Sequence, residues 1–157
     1  MRVVTKVGLL LIGLSLTVPA FAADRDPKKD AIKARQAEMT LRSFNAGPLF
    51  AMAKGDMPYN ADLANKLAGN LKTLLSFDNG RAFMPGTDNK AYPDDTTALP
   101  KLWETMPEIG KYGKKYGEAV NALAAAAGGG VDSLKSAVGD LGKSCKGCHD
   151  EFRKKKE

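Results

Sequence analysis

Two cysteines and one histidine are all that this chain of 157 residues contains of either type, and all three fall within Cys145-Lys146-Gly147-Cys148-His149. That coincidence constrains the fold more than any other feature. C-x-x-C-H is the attachment signature of a c-type haem: two thiols add to the two vinyl groups, and the adjacent imidazole takes the iron from one face. On an α-helix, at ~100° per residue, positions i, i+3 and i+4 share a face. Cys145, Cys148 and His149 therefore address one ligand together. Other readings of these residues fit less well. A zinc site wants a fourth good ligand, and no further Cys or His exists to supply it. A thioredoxin-type pair wants a βαβ setting, whereas the flanking sequence reads as helix. A disulfide between residues three apart in a helix would close a small, strained loop. The expected cofactor is one covalent haem c, held through Cys145 and Cys148.

The chain starts like an exported protein. Arg2 and Lys6 precede an apolar run from Val7 to Val18, and Ala20-Phe21-Ala22 supplies an A-x-A cleavage site. Residues 1–22 read as a signal peptide cleaved after Ala22, leaving residues 23–157 as one domain with one core. The apolar run is short for a membrane span, and no second one follows, so no span is expected in the mature chain. The expected compartment is the periplasm. Removing Arg2 and Lys6 lowers the formal net charge of +6 by two, and the remaining excess gathers in Arg153-Lys154-Lys155-Lys156. Such a tail suits a helix C-terminus, and it also offers a docking patch for an acidic redox partner. Nucleic-acid binding has no recognition motif to support it.

The mature sequence predicts four helices. Asp26-Pro27 is a cap followed by a first helical residue, opening a helix that runs to about Lys54. Its inward stripe is expected at Ile32, Arg35/Gln36, Met39, Ala46, Phe50 and Ala53, with Gly47-Pro48 kinking the helix rather than ending it. Asn60 caps a second helix, Ala61 to Phe77, whose inward residues are Leu63, Leu67, Leu71 and Leu74. Residues 78–100, rich in Gly, Pro, Asn and Asp, form a long loop of the kind that shapes pockets. A capping box at Thr105-Met106-Pro107-Glu108 opens the third helix, which runs to about Ala127. Its seam is Ile109, Tyr112, Tyr116, Ala119/Val120, Leu123 and Ala126. Gly128-Gly129-Gly130 stops it, and the last helix begins near Asp132. There Leu134, Val138, Leu141, Cys145, Cys148 and Phe152 follow steps of four and three, the spacing of a bundle seam. The cysteines thus occupy core positions. The expected fold is all-α, an antiparallel up-and-down four-helix bundle with covalently bound haem.

With the haem motif ending the fourth helix, the chain resembles the class II cytochromes c, the cytochrome c′ family. The resemblance covers essentially the whole mature chain. It is carried by Lys33-Ala34-Arg35-Gln36, Pro58-Tyr59-Asn60, Phe83-Met84-Pro85-Gly86-Thr87, Pro100-Lys101-Leu102-Trp103 and Cys145 through Arg153. It implies thioethers at Cys145 and Cys148 and the proximal iron ligand at His149. It also implies that Arg35 and Gln36 lie at the haem edge near the propionates, with Arg153 on the proximal side and Thr97 near a further haem contact. A polar pair on an inward stripe is costly unless it meets an anion, which agrees with the placement of Arg35 and Gln36. The chain departs from the family at Ala34 and Phe152, where tyrosine is frequent.

The family's distal position, four residues after the arginine, falls on Met39. A thioether ligand there gives a low-spin haem suited to electron transfer, whereas a non-ligating Met39 leaves a five-coordinate haem open to small gases. Two functions follow. The first is a periplasmic electron carrier working with redox partner proteins. The second is a high-spin protein binding NO or CO. An enzyme of the peroxidase kind is disfavoured, because no distal histidine exists to act as acid or base. Family members often dimerise through their first two helices, and Leu41, Leu49 and Leu75 are candidate outward residues for a homodimer.

Overall fold

Asp26 opens the first helix as its sequence demands. In the computed structural model, which describes residues 25–155, the Asp26 carboxylate accepts from the amides of Lys28 at 2.9 Å and Lys29 at 3.4 Å. Pro27, lacking an N–H, fills the first helical position. Helix α1 then runs over Pro27–Lys54 without a break at Pro48. Gly55 ends it in the left-handed region (φ 86°), donating back to Met52 while Asp56 donates to Ala51. Asn60 caps α2 (Ala61–Leu74) by accepting from the Leu63 amide at 2.8 Å. The proposed leader, Met1 to Ala22, lies outside the described residues, as does Lys156 in the basic tail.

Three boundaries differ from expectation. Helix α2 stops at Leu74 rather than Phe77. A short helix, α3 (Lys101–Glu104), precedes α4 (Met106–Ala126). The Thr105 hydroxyl accordingly donates to the Lys101 carbonyl at 2.9 Å and caps nothing in α4. A capping box needs the threonine free of a preceding turn, and here it closes one. Helix α5 covers Val131–Phe152 and starts from Gly130 (φ 107°) without a side-chain cap.

The four long helices close a ring: α1 packs on α2 and α5, and α4 packs on α2 and α5. Short links after α1 and α4 make the neighbours antiparallel, giving the up-and-down bundle. Leu49, Leu71, Val120, Leu123, Leu134 and Leu141 are almost wholly buried at its centre. At one end Tyr59 ties the two links together. Its hydroxyl donates to the Ala127 carbonyl at 2.8 Å and accepts from the Gly130 amide at 3.0 Å. The α5 seam is as spaced, with Leu134, Val138, Leu141 and Phe152 buried.

The stripe on α1 is rotated from the one expected. Its buried residues are Ala31, Ile32, Arg35, Glu38, Asn45, Leu49 and Met52, while Met39, Ala46, Phe50 and Ala53 are part-buried and Gln36 is exposed. Leu49 is fully buried and Leu75 packs against the core, so neither is the outward residue expected. The reason is the number of neighbours: α1 is covered by α2, by α5 and by the segment after α2. Among the described residues the only β-pairing is an isolated antiparallel bridge, Ala98 with Arg153, and no helix is long and apolar enough to cross a membrane.

Leu134 is fully buried in the hydrophobic core, and Leu134→Ala is expected to cost about 2–5 kcal/mol of unfolding free energy in chemical denaturation. A cost below about 1 kcal/mol would mean that the α4–α5 end of the core is not packed as described.

Candidate haem site

Helix α5 presents Cys145, Cys148 and His149 on one half-buried face, with Cys145 packed against the central core. Burial pushes both thiols above the usual cysteine value, and the guanidinium of Arg42 opposes that shift at each. Burial also holds His149 below the ordinary histidine value, with Arg153 adding to the effect. The imidazole is therefore neutral near pH 7, the form that binds a metal. One turn on, the Phe152 ring meets Tyr112 edge-to-face at 5.3 Å.

Arg35 is buried on α1, and its guanidinium is committed to the segment after α2. One terminal nitrogen donates to the Ala82 carbonyl at 2.8 Å and the Thr87 hydroxyl at 3.1 Å. The other donates to the Thr87 carbonyl at 2.9 Å and the Thr96 hydroxyl at 3.4 Å. The group lies between the rings of Phe83 at 5.7 Å and Trp103 at 5.4 Å, and the Trp103 indole N–H donates to the Phe83 carbonyl. Residues 78–100, read from sequence as a long loop, thus supply most of the contacts of this one side chain.

The other predicted residues are spread around the same end. Gln36 is exposed and donates to the Asp95 carbonyl at 2.7 Å. Thr97 is exposed, and its carbonyl accepts from the Lys154 amide at 2.8 Å. Arg153 is exposed at the end of α5, its backbone paired with Ala98. Met39 is half-buried on α1, which packs on α5. So α1, α5 and the 80–99 segment meet at one end of the bundle.

Three residues that sequence reasoning missed lie here as well. Glu38 is buried and pairs with Arg42 one turn along α1, and Arg42 stacks on the ring of Tyr116 at 4.4 Å. The i,i+4 spacing of Glu38 and Arg42 was a legible signal for an ion pair, though not for a buried one. The Arg42 Nε and the Tyr116 hydroxyl are both buried without a hydrogen-bond partner.

The family model described as Cytochrome C' matches residues 30–153. The chain belongs to the cytochrome c′ family. Its sequence is 39% identical over 151 residues to the cytochrome c′ of Cereibacter sphaeroides, covering 94% of this chain and 98% of that one. A solved structure of cytochrome c′ from Rhodobacter sphaeroides superposes with a TM-score of 0.81 at 39% identity, over 84% of this chain and all of that one. A ferrous variant of Alcaligenes xylosoxidans cytochrome c′ with bound NO superposes with a TM-score of 0.72 at 34% identity, over 85% of this chain and all of that one. The family carries covalent haem c, and haem c is the cofactor of this cytochrome c′ relative. The residues present fit that group. Two thiols and a neutral imidazole share one half-buried face, and two buried donors beside them lack partners.

If Arg35 holds the 80–99 segment in place, Arg35→Met strands several buried oxygens. It is expected to cost about 3 kcal/mol and to open residues 79–99 to limited proteolysis before the helices are cut. Protease resistance equal to wild type would refute that role.

Proposed function

We propose that this cytochrome c′ relative is a periplasmic electron carrier, exported by a leader at residues 1–22 and folded as one domain over residues 23–157. In this reading Cys145 and Cys148 would hold the haem by thioethers, and His149 on α5 and Met39 on α1 would be the protein ligands of its iron. The single observation that carries it is the placement of a half-buried methionine on the helix that packs against the α5 face bearing His149. When bound, the haem supplies one-electron chemistry, and a thioether ligand raises its potential. The chain's own part is to bind and orient it. Gln36, Thr97 and Arg153 border it, and Arg35 contributes by fixing the 80–99 segment beside it. The role is that of a carrier, with no turnover of its own.

The second reading keeps the same site with Met39 close but unbound, so that the iron is five-coordinate and takes NO or CO. The NO-bound relative favours it. The two readings separate on one measurement. As a carrier, the ferric protein is low-spin in optical and EPR spectra, and Met39→Ala turns it high-spin. A high-spin wild type, unchanged by the substitution, would move the assignment to gas binding.

For partners, Arg153, Lys154 and Lys155 stay exposed at the α5 end, next to the cofactor face. They suit an acidic redox protein, by an attraction that weakens with salt. A second copy of the chain fits a different surface. Leu41 and Phe44 on α1 and Phe77 beyond α2 are large, apolar and 50–74% exposed. With Leu49 and Leu75 taken up by the core, this patch replaces the one expected from sequence. If it joins two copies, Phe44→Lys weakens the dimer about tenfold or more in sedimentation. An unchanged association constant would free the patch from that role.

A further inference from the structure

The last third of α5 is held differently from the rest of the bundle. Over residues 131–141 the helix buries Leu134, Ala137, Val138 and Leu141. None of the next ten residues, 142–151, is fully buried, and Gly142 and Gly147 weaken the helix from within. Ser144 adds to this, since its hydroxyl donates to the Leu141 carbonyl at 2.7 Å, a back-bond that competes with the helix ladder. Along this stretch the Phe50 ring lies over Gly142 and the Tyr112 ring over Gly147, and Cys145 touches the edge of the core.

The far end is tied instead. Phe152 is buried and meets Tyr112, Leu99 donates to the Phe152 carbonyl at 2.9 Å, and Lys154 donates to the Thr97 carbonyl at 2.8 Å. Lys101 pairs with Glu151 beside them. Residues 97–101 are thus a strap across the end of α5. The strap is anchored in turn on α1: Gln36 donates to the Asp95 carbonyl, Lys29 pairs with Asp95 at 3.3 Å, and the Tyr92 hydroxyl donates to Asp26 at 3.1 Å. Thr97, Lys101 and Lys154 are exposed, so water competes for these ties, and short exposed pairings open before a packed core does. A helical run that is weak along its length and fixed at its tip opens as a unit once the tip is freed. That unit carries Cys145, Cys148 and His149. Joining a porphyrin requires each thiol to meet a vinyl group: the sulfur bonds to one vinyl carbon and the thiol hydrogen goes to the other, with no leaving group or oxidant. In the closed bundle both cysteines are half-buried. We propose that residues 142–152 are a hinged flap latched by the strap, and that its opening lets a porphyrin reach Cys145 and Cys148 while residues 131–141 and the other long helices stay folded. The purpose rests on the haem assignment above, whereas the latch stands on the chain's own contacts.

The test uses the mature full-length chain before haem attachment, with its thiols reduced. Lys154→Pro deletes the donor to Thr97 and suits the backbone, because Arg153 already has the extended conformation (φ −123°, ψ 132°) that a following proline favours. It is expected to speed thiol labelling by a bulky aromatic disulfide about fivefold or more, and amide exchange in residues 142–152 by a similar factor, with residues 131–141 unchanged. Lys154→Ala keeps the N–H and is expected to label like wild type. Gly147→Ala, whose added carbon makes only ordinary contact with the Tyr112 ring, strengthens the flap's helix and slows labelling about threefold to fivefold. Ferrous haem added to the same chains joins K154P faster than wild type, read as a gain of the macrocycle's mass. Labelling that ignores K154P, or exchange that rises throughout the bundle, overturns the proposal. So does haem that joins only in denaturant, or not at all. Protein made in a host with working haem-ligation machinery, yet lacking the macrocycle's mass, would sink the haem assignment while the labelling and exchange results still judge the latch.

Discussion

Arg35 places a permanent positive charge inside the bundle, and among the described residues no carboxylate pairs with it. Burial pulls its guanidinium below the ordinary arginine value, yet the group stays charged and must be solvated by something. The solvation comes from neutral dipoles: two carbonyls and two hydroxyls of residues 82–96, with the faces of two aromatic rings close by. Those oxygens can converge only if the chain after α2 folds back over α1. One side chain therefore anchors a segment of some twenty residues whose regular structure is limited to a 3-10 turn at Gly80–Phe83. The segment then pairs with the tail of α5, where Leu99 donates to the Phe152 carbonyl and Lys154 to that of Thr97. Through these links α1, the irregular segment and the cofactor-bearing helix become one unit.

That convergence explains why several short motifs recur together in the sequence. Lys33-Ala34-Arg35-Gln36 supplies the cation, Phe83-Met84-Pro85-Gly86-Thr87 supplies a ring and two oxygens, and Pro100-Lys101-Leu102-Trp103 supplies the second ring. Gly86, at φ 74°, lets the backbone turn the Thr87 oxygens inward beneath Lys28. Pro58-Tyr59-Asn60 belongs to the other end of the bundle, where Tyr59 locks two links and Asn60 caps α2. Motifs far apart in sequence look weak one by one. In space they are two knots.

What the sequence made legible was whatever depends on local chemistry. Asp26 and Asn60 cap because their side chains reach their own next turn, and the α5 seam reads true because a single apolar row of steps four and three admits one register. The proposed attachment residues, Cys145 and Cys148, lie on the same row. Where the reading failed, tertiary neighbours decided. Leu49 looked outward until three neighbours were found around α1, and Glu38, which no sequence signal singled out as interior, is buried because Asn79 and Arg42 satisfy it. Thr105 was misread because α3, one turn long, claims its hydroxyl first. A helix that short has almost no periodicity to detect. Arg35 was rightly marked as interior, and the chain's own oxygens take its guanidinium.

The interior changes character along the length of α1. Toward its C-terminus the buried residues are Leu49 and Met52, packed with Leu67, Leu123 and Leu134 at the Tyr59 end. Toward its N-terminus they include Arg35 and Glu38, with Arg42 behind them. Because α5 runs antiparallel, that polar half of α1 lies alongside the half of α5 that carries Cys145, Cys148 and His149. A uniformly apolar core would be the more stable choice for a bundle of this size, since buried ion pairs seldom gain over hydrophobic packing. The cost is met within the protein, since Arg35 is solvated by the oxygens of Ala82, Thr87 and Thr96 and Glu38 by Asn79 and Arg42. The polar half of α1 thus leaves the apolar packing to the other end of the bundle and faces the half of α5 that carries the C-x-x-C-H residues.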